Sequence, residues 1–339
     1  MSERSRPQVL LSLACVIVLV AGLQAAGSVL LPFLLSILLA VLAMPVVRWF
    51  QGMKLPATVA VVVTVCLLIA LFTGVGVVVG TSVSDFSDKL PLYEESLRAK
   101  LAELGEGTPL PEVGEWFDPG AAFAFAGQIL NCLVGVLSNL FLILLTTVFI
   151  LLEAAGIPSK LRAAFPGDSE PLSKATAVGR SVQAYLGVKT LMSFATGVCV
   201  YVLVGALGLS HPALWGLIAF LLNFVPSIGS IIAALPAVLL ALVELGSGQA
   251  IAVLLGFVAI NMIIGNVIEP RLMGRKLGLS PLVVFLSLLF WGWVWGPAGM
   301  LLSVPLTVMV KIILEGREGT RWIGVMLGPE QDAHQAKGQ

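Results

Sequence analysis

Charge is what this chain has least of. Only 11% of its 339 residues are Asp, Glu, Lys or Arg, whereas a soluble domain carries about 25%. So few charges cannot cover a surface that faces water on every side, and a mean hydropathy of +1.03 says the same. The formal net charge is zero, which leaves no basic field for nucleic acid. Histidine is almost missing: His211 precedes Pro212 at a predicted turn and His334 lies in a polar tail. The four cysteines, Cys15, Cys66, Cys132 and Cys199, stand singly in apolar stretches with no Cys-x-x-Cys or Cys/His spacing. They are read as small core residues rather than disulfides or metal ligands, and no metal or cofactor is expected. A G-x-x-x-x-G-K-[ST] phosphate loop, a Gly-x-Ser-x-Gly serine and a His-Glu-x-x-His pair are also missing, so the chain is not read as an ATP-driven pump, a protease or any other enzyme.

Uncharged length is abundant. A spanning helix needs about 20 apolar residues, and Val9 to Val47 runs 39 residues without a charge. That allows two tight spans with a turn near Gly27, Ser28 and Pro32. Arg4 and Arg6 precede this run, but no cleavage site follows, so it is read as retained. Leu55 to Gly80 is a third span, whose Gly74, Gly76 and Gly80 suit close helix contact. From 81 to 127 nine acidic and three basic residues accumulate. Within that segment Val83, Phe86, Leu90, Tyr93, Leu97, Leu101 and Leu104 recur at helical spacing, predicting an amphipathic helix interrupted or kinked near Pro91. Ile129 to Leu152, Leu186 to Gly208 and Ala250 to Ile268 complete the ordinary spans, with Lys189 expected to snorkel at a span entrance.

Two further apolar runs are too long. Ala213 to Val243 has 31 residues and Pro281 to Val310 has 30, each about 45 Å if helical throughout, against roughly 30 Å of hydrocarbon. Both carry breakers: Pro226, Ser227 and Gly229 with Pro236 in the first, Gly296, Pro297 and Gly299 with Pro305 in the second. Leu207-Gly208-Leu209-Ser210 and Leu277-Gly278-Leu279-Ser280 introduce them at an offset of 70, which Gly229 and Gly299 keep. The reading is an internal repeat of one span plus one broken hairpin. If both hairpins are re-entrant and the N-terminus is inside, 16 of 19 basic residues fall on the cytoplasmic side, as short basic loops prefer. The hairpins then enter from opposite faces, an inverted repeat of the kind that binds a solute near the midplane.

The expected fold is therefore all-α and polytopic, with about five or six full spans, two re-entrant hairpins and one acidic extramembrane helical segment. Its divisions are 1–80, 81–127, 128–182, 183–316 (the repeat core) and a tail at 317–339.

A resemblance adds to this. Tyr185-Leu186-Gly187-Val188-Lys189-Thr190, Leu222-Asn223-Phe224-Val225-Pro226-Ser227-Ile228-Gly229-Ser230 and Gly265-Asn266-Val267-Ile268-Glu269-Pro270-Arg271-Leu272-Met273-Gly274 resemble the AI-2E family of transporters. So does the run from Leu277 through Phe290-Trp291-Gly292-Trp293 to Gly296-Pro297. The resemblance implies a bacterial inner-membrane protein, oligomeric, exporting a small polar solute such as autoinducer-2 or exchanging Na⁺ for H⁺. Ser227 departs from the Tyr or Asn that relatives often carry.

Candidate pathway residues follow. Asn223, Pro226, Ser227 and Gly229 at the first hairpin tip and Pro297 and Gly299 at the second offer backbone polar groups at membrane depth. Glu269 and Arg271 flank Pro270 at a span end, preceded by Asn261 and Asn266. An acid there is either a cation or proton site or an interfacial anchor. Asn139 and Glu153 are weaker candidates, and Trp291, Trp293 and Trp295 are read as packing or as a cavity lining. The competing functions are a passive channel and a non-transporting scaffold.

Overall fold

The computed structural model describes residues 5–105, 127–128, 134–135, 138–154, 160, 163, 170–225, 229–273, 279–316 and 319–328. Every regular element among them is helical: α1 (Ser5–Ala25), α2 (Gly27–Gly52), α3 (Ala57–Gly105), α4 (Leu140–Ala154), α5 (Glu170–Ala206), α6 (Pro212–Leu222), α7 (Gly229–Glu244), α8 (Ser247–Ile260), a π-helix (Asn261–Ile268), α9 (Glu269–Met273), α10 (Pro281–Glu315) and α11 (Arg321–Met326). The physical reason is that backbone polar groups in hydrocarbon must find partners within their own segment, which a helix supplies. Five described helices are long and apolar enough to cross a membrane, so the chain is an all-α polytopic membrane protein.

The chain forms two compact units: Met1–Val61, Phe141–Val182 and Leu277–Gln339 in one, Val62–Leu140 and Gln183–Lys276 in the other. In the first unit, α1 and α2 meet at a single non-helical residue, Ala26. The bonds from Ala26 N–H to Gly22 O and from Leu30 N–H to Ala26 O stay helical on either side, so the break between the two helices is a single residue, beside Gly27 of the expected turn. Ser36 Oγ on α2 donates to Ile143 O of α4 at 3.0 Å and to Pro32 O, four residues back, at 2.6 Å.

The other unit is built on an apolar core. Phe86, Tyr93 and Leu97 of α3 join Val200 and Val204 of α5, Leu214, Trp215 and Ile218 of α6, Leu240 of α7 and Phe257 of α8. The amphipathic stripe read from the sequence therefore packs on its neighbours, and α3 continues unbroken through Pro91. Gly197 and Gly216 bring α5 and α6 into backbone contact: a Cβ on either would stand 2.8 Å from the other's carbonyl oxygen. A Cβ on Gly74, Gly76 or Gly80, the glycines expected to do this, would meet nothing within 4 Å among the described residues. The three described cysteines, Cys15, Cys66 and Cys199, are exposed. They lie on outward helix faces and not in the core, because thiols are apolar enough for either environment. Cys132 falls outside the described residues.

Candidate transport pathway

The first broken segment folds back on itself. Helices α6 and α7, of 11 and 16 residues, reach only about 16 and 24 Å, and neither alone crosses. At their junction Asn223 and Phe224 leave the helix, and a Cβ on Gly229 would overlap the carbonyl of Leu222. At the open end Ser210 N–H donates to Glu244 Oε2 at 3.1 Å, so the chain returns to where it entered. The segment is a hairpin rather than a full crossing. Pro226 and Ser227 lie outside the described residues.

The second segment, α10, does the same with fewer non-helical residues. Trp295 (φ −132°, ψ 18°) and Gly296 (φ 63°, ψ −148°) interrupt it, and the Gly296 angles are ones that only glycine adopts freely. A Cβ on Gly299 would overlap Trp291 O, and one on Gly292 would lie 2.9 Å from Met300. These contacts are impossible along a straight helix. Trp291 Nε1 donates to Thr307 Oγ1 at 3.2 Å, tying the arms, and Trp291 stacks on Trp295 at 5.1 Å. Trp295 Nε1 donates to Leu23 O at the α1–α2 junction. Pro297 is exposed and Gly299 buried. So α10, whose 35 residues make the longest of the five apolar stretches, is not one span.

The first hairpin's tip connects to a buried polar column. Asn223 Nδ2 donates to Ser193 Oγ on α5 at 3.0 Å, both side chains buried. One turn earlier on α5, Lys189 Nζ donates to Glu269 Oε1 at 2.6 Å, with side-chain exposures of 5% and 14%. Tyr185 and Thr196 extend the same buried face, at positions i, i+4, i+8 and i+11 from Tyr185 to Thr196. Lys189 therefore does not snorkel. A lysine inside a span is expensive unless paired, and Glu269 is the pair. Breaking such a pair by removing one partner costs about 3–5 kcal/mol.

The other predicted residues divide. Asn261 and Asn266 lie in the π-helix Asn261–Ile268, a departure that frequently marks functional sites, but Asn266 is exposed. Arg271 is exposed too, on the interfacial anchor side of the reading, while Glu269 points inward. Asn139 is exposed and bonds Gly135 O. Glu153 is exposed and pairs with Lys160. Trp293 is 65% exposed, so the indole cluster consists of Trp291 and Trp295. Among the described residues no group of three or more His, Cys, Asp or Glu is placed to hold a metal ion.

The AI-2E family transporter profile matches residues 13–317. The chain belongs to the AI-2E family of transporters. It is 36% identical to the AI-2 transport protein TqsA of Escherichia coli K12, over 94% of this chain and 95% of that protein. It is 37% identical to a putative transport protein of Haemophilus influenzae, over 95% and 97%. To the putative transport protein YhhT of Escherichia coli K12 it is 37% identical, over 96% of each. Within this AI-2E transporter, sequence reasoning found Asn223 and Glu269 but missed Ser193, Tyr185 and the role of Lys189. The available signal was their common i, i+4, i+8 spacing inside a span.

Proposed function

We propose that this AI-2E family protein exports a small polar solute such as autoinducer-2 across the bacterial inner membrane by secondary transport. The solute's path runs past the tip of the first hairpin. The observation that carries this is the Asn223–Ser193 bond beside the part-buried Lys189–Glu269 pair: donors and acceptors meet at depth within an otherwise apolar span, next to a helix break. Charge compensation inside the pair favours a neutral, hydrogen-bonding solute, since an added ion would meet no unopposed opposite charge. The reading includes cytoplasmic termini, opposed entry of the two hairpins and a homo-oligomer in the bilayer.

Flux from proteoliposomes across autoinducer-2, Na⁺, Li⁺ and protons, with and without a pH gradient, tests it. Saturable efflux driven by a counter-ion supports a carrier, linear flux a channel, and no flux of any kind a scaffold. A second reading, cation exchange at Glu269, is favoured by its part-buried carboxylate, 14% exposed. Glu269→Gln then abolishes coupled flux but not insertion, and unchanged pH dependence would remove it. Cysteines placed at Gly246 and Lys276 should label from opposite faces, and labelling from one face would end the inverted arrangement.

A further inference from the structure

The two ends of the first hairpin are held by different chemistry. At its tip, Asn223 and Ser193 share one bond between neutral groups. At its base, Glu244 takes two bonds from different parts of the chain: Tyr93 O–H at 2.9 Å to Oε1 and Ser210 N–H at 3.1 Å to Oε2. Alongside, His211 Nε2 lies 2.7 Å from Asp85 Oδ2, which also accepts from Lys89 at 3.0 Å. Trp215 Nε1 donates to Ser210 O at 3.0 Å. Bonds to a carboxylate are roughly twice as strong as bonds between neutral partners.

Packing points the same way. Leu209, Leu214, Trp215 and Leu240, near the base, belong to the apolar core with Phe86 and Leu97 of α3, whereas toward the tip that core is continued by the small Ala219 and Ala233 and the partly buried Leu222, and Asn223 and Phe224 are not part of it. Opening the base would break the core and the carboxylate bonds together. Opening the tip breaks one neutral bond and uncovers fewer large buried side chains, chiefly Phe224 and Val225.

We propose that the base of this hairpin stays closed throughout transport, with Glu244 as its positioning residue, so that opening is confined to the tip. This rests on the reading that the tip lies on the solute path. Glu244 ends the second arm, Ser210 precedes the first, and Tyr93 belongs to the extramembrane stretch of α3. One carboxylate thus fixes both arms to a third helix.

Hydrogen exchange on the wild-type protein in lipid nanodiscs tests the clasp without reference to any solute. Amides of 207–215 should exchange more slowly than those of 219–225 by on the order of tenfold, and Glu244→Ala should erase that difference. A base that exchanges as fast as the tip in the wild type overturns the proposal. For flux, the four native cysteines are replaced by alanine, and Ser210→Cys is combined with Glu244→Cys. Unbridged, this pair should lower maximal autoinducer-2 efflux roughly tenfold with an unchanged half-saturating concentration, as expected for a lost bond to a charged group. Bridging the thiols with a short bifunctional reagent should restore efflux to within about twofold of the parent, since the bridge again joins the two arms and leaves only the Tyr93 bond missing. Efflux that stays low in the bridged protein means the base must open, and sinks the idea. If the parent carries no autoinducer-2, the solute reading fails, and the exchange result alone decides the clasp.

Discussion

The two broken segments share a plan and differ in almost every group that executes it. Both fold back where a glycine meets an earlier carbonyl, Gly229 against Leu222 and Gly299 against Trp291. The first then presents an amide to a serine inside a polar column. The second instead ties itself with indoles, Trp291 to Thr307 and Trp295 to Leu23 O. Their bases differ likewise: bonds to the Glu244 carboxylate, from the Tyr93 hydroxyl and the Ser210 N–H, close the first. A backbone bond from Ser280 N–H to Leu327 O, at 3.0 Å, joins the second to the chain after α11. A repeated backbone solution thus carries a polar tip in one copy and an aromatic tip in the other, because sterics specify the fold-back while side chains remain free to diverge.

The largest effect that would break this comparison is at the shared glycines. Gly229→Ala and Gly299→Ala each place a methyl on a backbone carbonyl that cannot move aside, at a cost of about 3 kcal/mol or more. Both should abolish monodisperse protein in size-exclusion chromatography after detergent extraction. If one variant folds normally, the shared plan is wrong for that copy. Next comes the polar column. Lys189→Met should destabilise by about 3–5 kcal/mol, because it strands the Glu269 carboxylate. Adding Glu269→Gln should return most of that in a thermal melt, an outcome that a purely steric role for Lys189 does not allow.

Smaller effects sharpen the contrast between tips. Gly296→Ala forces a side chain into the φ 63°, ψ −148° conformation, costing about 1–3 kcal/mol. Asn223→Ala leaves the Ser193 hydroxyl without its partner, costing about 1–3 kcal/mol, and should lower transport more than melting temperature. The mildest test concerns Tyr93. Burial, then its bond to Glu244, holds its hydroxyl well above the ordinary tyrosine value of 10.0. The neutral phenol is the donor, so its contribution is complete below the ordinary value and is lost only as pH rises through the higher folded one. Ultraviolet titration of wild type against Tyr93→Phe should differ only above pH 10.

Much of this was legible because the signals are local. Uncharged runs mark spans, since hydrocarbon tolerates little else, and the two runs too long to cross once carry the Pro and Gly breakers at which the chain folds back. The stripe Val83, Phe86, Tyr93 and Leu97 announced a packed face at helical spacing. Hydropathy says little about which face of an apolar helix meets another helix, and there the reading erred. Among the described residues Gly74, Gly76 and Gly80 face open space while Gly197 and Gly216 make the close contact. Cys15, Cys66 and Cys199 look outward.

The sequence by itself determined that the chain is helical, membrane-spanning and twice broken, because chain length, charge and backbone freedom are properties of neighbouring residues. Only the tertiary structure decided that the first broken run returns to its entry side, that Lys189 turns inward to Glu269 across 80 residues, and that Glu244 receives Tyr93 from 151 residues away. Those pairings depend on which helix faces are brought together, and a buried charge or donor takes the partner that packing places within reach.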